Sequence, residues 1–252
     1  MYRAANLPAD KHVFLGAEGG VSTGVYASLN VGTAGDDKIE NVQENLRIAA
    51  AVLGAKLQQL HLLQQGVSSH VEYVSAATNR QMIADGAVTD KQGIVLCIRT
   101  ADCAPVLLAD YEHGVIGAAH AGWRGAFGGV IANTVALMRQ KGAEPDNIAA
   151  AVGPCIAQAS YEVDGGFYQQ FKAKNESFTQ FFKPAQRVEH FLFNLEAFCV
   201  NRLQACGIKN ITVSGLDTYA LEGQYFSFRR NTHRGLIYAP KCFPVEISEI
   251  CL

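Results

Sequence analysis

The sequence predicts a single domain of the mixed α/β or α+β class, and three observations carry that expectation. A chain of 252 residues, 49% of them hydrophobic, is long enough to build a core without disulfides or a metal to hold it. Short apolar runs of strand length alternate with segments whose apolar residues recur at helical spacing. No internal repeat, low-complexity tract or linker rich in Pro, Gly or Ser divides the chain.

The formal net charge is −2, and no Lys/Arg-rich run offers the basic footprint that nucleic-acid phosphates need, so no nucleic-acid partner is expected. No apolar run approaches the roughly 20 residues that cross a bilayer, and the first residues lack the charged and apolar regions of a secretory leader. No membrane partner is expected. Seven cysteines, an odd number without tight pairing, suit a reduced cytoplasmic protein. Cys97, Cys155, Cys199, Cys206, Cys242 and Cys251 read as buried small hydrophobes.

Taken in order, residues 13–16 form a short apolar stretch that leads into a loop with Gly19, Gly20 and Gly24 and then Tyr26-Ala-Ser-Leu-Asn-Val-Gly32. These glycines fit neither a Walker A loop nor a dinucleotide fingerprint; they suit a tight turn or a loop lining a ligand. Asp36 and Asp37 offer an N-cap to a helix over 39–53, whose apolar residues follow helical spacing and which Gly54 ends. Residues 60–63 and 71–74 read as strands, with His70 at the junction of the intervening loop and the second strand.

Residues 94–98 and 105–109 are apolar runs too short for a helix and suited to strands buried on both faces. A turn at 111–114 and an antiparallel strand over 115–121 complete a hairpin, whose open end sets Cys103 opposite His120. Residues 124–142 read as one helix, 148–152 as a buried strand, and 165–174 and 194–206 as helices, the last capped by Asn194 and ended by Gly207. Residues 211–214 and 225–228 read as strands, and 245–252 as a short closing tail.

Cys103 and His120 stand beside glycines, Trp123 and Arg124 at a corner that packing alone would fill with small inert residues. Two chemistries suit the pair. Thiolate and imidazole both bind Zn²⁺, which leaves a position for an activated water. Alternatively, His120 deprotonates Cys103 to give a nucleophile, as in Cys–His hydrolases and deamidases. A third ligand separates these readings, and His70 is the nearest candidate in sequence; His61, His113 and His233 read as strand, turn-tip and surface-loop residues. Arg124, at a predicted helix start, is a candidate anion contact. Arg229 and Arg230 alternate along a predicted strand, so only one of them points into a given cleft.

Thr100-Ala-Asp-Cys-Ala-Pro-Val-Leu-Leu108 together with Ala119-His-Ala-Gly-Trp-Arg-Gly125 resembles the signature of the multicopper polyphenol oxidoreductase (laccase-domain) family, also called purine nucleoside phosphorylase-like or peptidoglycan editing factor proteins. Weaker motifs follow in the right order: Gly19-Gly-Val-Ser22, Ser28-Leu-Asn-Val-Gly32, Glu44-Asn45, Ala84-Asp85, Gly153-Pro154, Tyr161-Glu-Val163, Asp217-Thr-Tyr219 and Phe226-Ser-Phe-Arg-Arg230. The resemblance implies one α+β domain over residues 1–252 with αββα layering and mixed sheets, a fold like that of cytotoxic necrotizing factor. It implies a zinc held by two histidines and a cysteine, with copper-dependent laccase activity assigned to some members. It also implies phosphorolysis of adenosine, inosine and 5′-methylthioadenosine, and deamination of adenosine, so a purine nucleoside and phosphate are the expected partners.

On this reading the metal ligands are His70, Cys103 and His120, and Asn30, Asp85, Arg124 and Arg229 are substrate or phosphate contacts. The family's first metal histidine stands in a Gln-Val-His-Gly/Ser segment, whereas this chain reads Gln65-Gly-Val-Ser68. Val67 therefore takes the histidine position, and His70 lies three residues on. Ala17 stands where an arginine usually precedes Gly-Gly-Val-Ser. Two rival readings stay open: a metal-free Cys103–His120 hydrolase or deamidase, and a protein that binds a nucleotide or cell-wall precursor without turnover.

Overall fold

The structure, a computed structural model, describes residues 1–77, 83–235 and 245–252. Its strands are β1 (His12–Phe14), β2 (Leu60–Leu62), β3 (Val71–Tyr73), β4 (Gly86–Thr89), β5 (Val95–Thr100), β6 (Ala104–Asp110), β7 (Val115–Ala121), β8 (Ala149–Val152), β9 (Glu162–Asp164), β10 (Phe182–Pro184), β11 (His190–Phe193), β12 (Asn210–Val213) and β13 (Glu246–Cys251). Its helices are α1 (Ile39–Val52), α2 (Trp123–Gly128), α3 (Val130–Gln140), α4 (Gly165–Lys174), α5 (Leu195–Gln204) and α6 (Phe228–His233).

Two mixed sheets lie face to face at the centre: a six-stranded one in the order β12-β8-β6-β7-β4-β3 and a four-stranded one in the order β1-β13-β5-β2. The hairpin β6–β7 shows why both faces of the larger sheet are covered. Every residue of the two strands is buried, and successive side chains point to opposite faces. Leu107, Ala109, Ile116 and Ala118 enter the layer shared with Phe14, Leu96, Ile98 and Ile250 of the smaller sheet. Val106, Leu108, Val115 and Ala119 enter the layer built with Ile131 and Met138 of α3, Phe171 of α4 and Phe198 of α5. On the outer face of the smaller sheet, Val13, Val95 and Ile247 pack against Val42, Leu46, Ala49 and Ala50 of α1. The order helix, sheet, sheet, helix is the expected αββα layering.

The structure departs from the sequence reading at several elements. The helix expected over 124–142 is two helices, because Gly129, at φ 104°, closes α2 with an N–H to Gly125 carbonyl bond before α3 begins. Residues 225–228 are not a strand: the Ser227 hydroxyl accepts the Arg230 N–H and caps α6 instead. The closing tail is β13, paired with both β1 and β5 inside the smaller sheet. Asp37 does not cap α1; its carboxylate takes the Ser22 hydroxyl and the Asn30 amide, and Lys38 stands at the cap. A third sheet, β10-β11-β9, went unforeseen because its strands are short and draw their stability from packing Phe182, Phe191 and Phe193 with Phe167 and Tyr168 of α4. Cys97, Cys155 and Cys199 are buried as expected, Cys206 and Cys251 are only half-buried, and Cys242 lies outside the described residues.

Candidate active site

The β6–β7 register pairs Pro105 with His120 and so carries Cys103, the residue before β6, to the same end of the sheet. The Cys103 and His120 side chains stand together against Gly122. Gly122 makes room for them, since a Cβ there would stand 2.9 Å from Cys103 Sγ. Pairing of Gly86 with Ala119 puts Asp85 beside His120 from the other side. Asp85 holds it twice: the Asp85 carbonyl accepts the His120 N–H at 2.7 Å, and Asp85 Oδ1 accepts from His120 Nδ1 at 2.8 Å.

Asp85 is itself wrapped in donors. Its carboxylate accepts the backbone N–H groups of Gly66, Val67 and Ser68 at 3.2, 3.1 and 2.5 Å, and the Ser68 hydroxyl at 2.8 Å. Burial alone would raise its pKa, but the bonds from His120 and Ser68 outweigh it and hold the carboxyl below the usual range. Burial likewise pushes the His120 imidazole towards neutrality, yet the neighbouring Cys103 and the hydrogen bond to Asp85 prevail and lift it to about 10. Thiol, imidazole and carboxylate thus stand side by side, with Nδ1 of the ring fixed on Asp85.

Asp102 ties the same corner to α6. Its side chain accepts the Thr218 hydroxyl at 2.7 Å, the Ser227 hydroxyl at 2.9 Å and the Arg229 N–H at 2.7 Å, while its carbonyl accepts the Ile156 N–H at 3.0 Å. The backbone at Asp102 has φ 83°, and burial raises its carboxyl pKa despite these donors. Arg230 turns inward and binds the carbonyls of Thr218, Tyr219 and Tyr225. Arg229 turns outward, donating to the Glu162 carbonyl at 2.8 Å with its guanidinium 5.1 Å from the Tyr161 ring. Of Arg229 and Arg230 only Arg229 reaches the cleft, as expected, although a helix rather than a strand separates the two.

That cleft has a volume of about 700 Å³ and is lined by Trp123, Arg124, Tyr161, Phe167, Tyr219 and Arg229, with Arg187, His190 and His233 among its other walls. Arg124 stacks on the Trp123 ring at 4.3 Å, and His233 bonds the Tyr219 hydroxyl at 3.2 Å. Arg124 and Arg187 form no ion pair among the described residues. Trp123 joins the cleft to the thiol corner, because it lines the cleft and follows directly on Gly122, against which Cys103 and His120 stand. Arg187 and His190 stand in no motif of the sequence and reach the cleft only through the third sheet.

The other predicted site residues lie elsewhere. Asn30 is buried and binds Asp37, the Gly32 N–H and the Val245 N–H. His61 pairs with Glu72 inside the core, and His113 with Asp110. His70 is exposed and faces Asp85 with its carbonyl, which accepts the Asp85 and Gly86 N–H groups. A catalytic zinc takes three protein ligands. Cys103 and His120 supply two, Asp85 is committed to the loop and the ring, and among the described residues no three His, Cys, Asp or Glu side chains converge as a metal requires. The expected set of His70, Cys103 and His120 is not assembled, and the residues present do not fit a resident zinc.

Residues 11–239 match the family described as multi-copper polyphenol oxidoreductase laccase, and the chain belongs to that family. It is 38% identical over 239 residues to a purine nucleoside phosphorylase of Deinococcus radiodurans, covering 92% of this chain and 87% of that one. To a purine nucleoside phosphorylase of Rickettsia prowazekii it is 35% identical over 226 residues, covering 86% and 93%. Among solved structures it is similar to a DUF152 protein of Neisseria meningitidis, with a TM-score of 0.86 and 30% identity over 98% of this chain and 96% of that one. A hypothetical protein of Bacillus licheniformis superposes with a TM-score of 0.85 at 27% identity, covering 96% and 92%. No helix among the described residues is long and apolar enough to cross a membrane.

Proposed function

We propose that this chain is a purine nucleoside phosphorylase, acting on adenosine, inosine or 5′-methylthioadenosine with inorganic phosphate. The observation that carries this reading is a cleft that combines an aromatic wall with arginines and adjoins the Cys103–His120–Asp85 group through Trp123, the residue after Gly122. Trp123, Tyr161 and Phe167 offer flat apolar surface to a purine ring. Arg124 and Arg229 offer guanidinium donors to a phosphate dianion. The names of the relatives support the same substrate class.

In the reaction, a phosphate oxygen bonds to C1′ of the sugar as the C1′–N9 bond breaks, the bonding pair leaves with the base, and a proton reaches the purine. We assign to His120, held by Asp85 beside Cys103, the role of holding or moving that proton. Asp85 acts on the ring rather than on substrate, and Asn30 holds the loop and strand ends around Val245.

The test is release of free adenine or hypoxanthine from each nucleoside, followed chromatographically with and without phosphate. Phosphate-dependent release is expected, abolished in His120→Ala and with KM for phosphate raised about tenfold or more in Arg124→Ala and Arg229→Ala. Inosine formed from adenosine without phosphate would show the deaminase reaction that the family resemblance also implies. Tight nucleoside binding with no product of either kind would replace the enzyme reading by that of a binding protein.

A further inference from the structure

We infer that the Cys103–His120 pair in this chain is a metal-free thiol–imidazole centre, closed to tight zinc binding by the loop that faces it. The inference rests on how residues 66–70 are held and stands apart from the choice of substrate. A zinc site at the pair needs a third protein donor; no His, Cys, Asp or Glu among the described residues stands in place to be one, so it would have to come from the adjoining loop, from position 67 or by refolding that brings His70 inward. Position 67 is a valine and supplies none. His70 is exposed, and its backbone is fastened on both sides: its carbonyl accepts the Asp85 and Gly86 N–H groups at 3.0 and 3.2 Å, and its own N–H donates to the Ser68 hydroxyl at 3.2 Å. The three N–H groups ahead of it converge on the Asp85 carboxylate, and Asn133 holds the Ser69 carbonyl at 2.8 Å.

Turning His70 towards Cys103 would break this set together. The carboxylate that would lose its donors is the one that orients His120. Asp85 cannot serve as the missing ligand either, since Oδ1 already bonds Val67 and His120, and Oδ2 bonds Gly66 and Ser68. In metal sites a carboxylate on the far nitrogen of a histidine orients the ring for the metal. Here the same arrangement holds the ring beside the Cys103 thiol.

Two measurements on the full chain decide the matter. Zinc content and affinity are read by elemental analysis and competition with a chromophoric chelator, for wild type, Cys103→Ser and His70→Ala. Wild type is expected to hold far less than one zinc per chain after dialysis, with His70→Ala the same. Zinc that persists in Cys103→Ser lies away from the pair and leaves the inference standing. About one tight zinc per chain in wild type, lost in Cys103→Ser or His70→Ala, overturns it. The second measurement is the alkylation rate of the Cys103 peptide by iodoacetamide, read by mass spectrometry. It is expected to be unchanged by a chelator; acceleration on adding the chelator would mean that a metal caps the thiol and would equally overturn the inference.

Discussion

Val67 holds a β-branched side chain, 50% exposed, on a backbone with φ 60°, a conformation that crowds Cβ against the following carbonyl. The reason for that backbone is its neighbour: the turn at Val67 aims the N–H groups of Gly66, Val67 and Ser68 at one carboxylate. Strain at one residue thus secures the Asp85 anion that holds His120. Asparagine adopts this backbone readily, so Val67→Asn is expected to stabilise the fold by about 1 kcal/mol. The check is the urea midpoint of the variant against wild type, with the m-value unchanged. A midpoint at or below that of wild type would show that the valine side chain contributes packing that outweighs its strain.

At the scale of elements, α6 is a short helix whose start does two things. The Ser227 hydroxyl accepts the Arg230 N–H and donates to Asp102, while the Arg229 N–H binds the same carboxylate. The cap therefore sets the angle at which Arg229 enters the cleft and Arg230 enters the core. Ser227→Ala removes the cap and one donor to a buried carboxylate, an expected loss of about 1–2 kcal/mol. If the phosphate reading holds, KM for phosphate should rise in this variant while nucleoside KM changes less, since the displaced group is Arg229. Equal effects on both constants would argue that α6 matters only for folding.

For the molecule as a whole, the least expected feature of the packing is a carboxyl group between layers. Glu249 lies on β13 opposite Val13 and Cys97, residues of the apolar layer beneath α1, and neither of its carboxylate oxygens has a hydrogen-bond partner among the described residues. Burial pushes its pKa up to about 8. Between the ordinary carboxylate range and that value, the folded chain keeps this proton and the unfolded chain releases it, so stability falls as pH rises and levels off above about 8. The slope for one such group is at most about 1.4 kcal/mol per pH unit. Glu249→Gln should remove it. Denaturant unfolding at several pH values from 5 to 8 should show the variant gaining on wild type as pH rises; parallel curves would place the carboxyl in contact with water.

The hairpin from Ala104 to Ala121, the helix from Ile39 to Val52 and the cap at Asn194 were legible in the sequence because each depends on neighbours within a few residues: alternation, helical spacing, a local hydrogen bond. The same locality placed Cys103 opposite His120, since one hairpin register fixes both. What escaped the sequence depends on contacts between distant segments. Tyr225-Phe-Ser-Phe228 alternates like a strand, yet Asp102, more than a hundred positions away, draws Ser227 and Arg229 into a helix start. The charged residues of β13 suggest an exposed tail, yet two flanking strands enclose it. Whether His70 could complete a metal site was equally beyond the sequence. Spacing left it free to turn inward, and only the folded chain, by fastening residues 66–70 to Asp85, Gly86 and Asn133, decides that it does not. The sequence by itself determined the layers, the hairpin and the thiol–imidazole pair, because short-range periodicity and register encode them. The tertiary structure alone decided the carboxylate behind the imidazole, the arginine that reaches the cleft and the count of donors at the centre, because each is set by hydrogen bonds between segments that meet only in the folded chain.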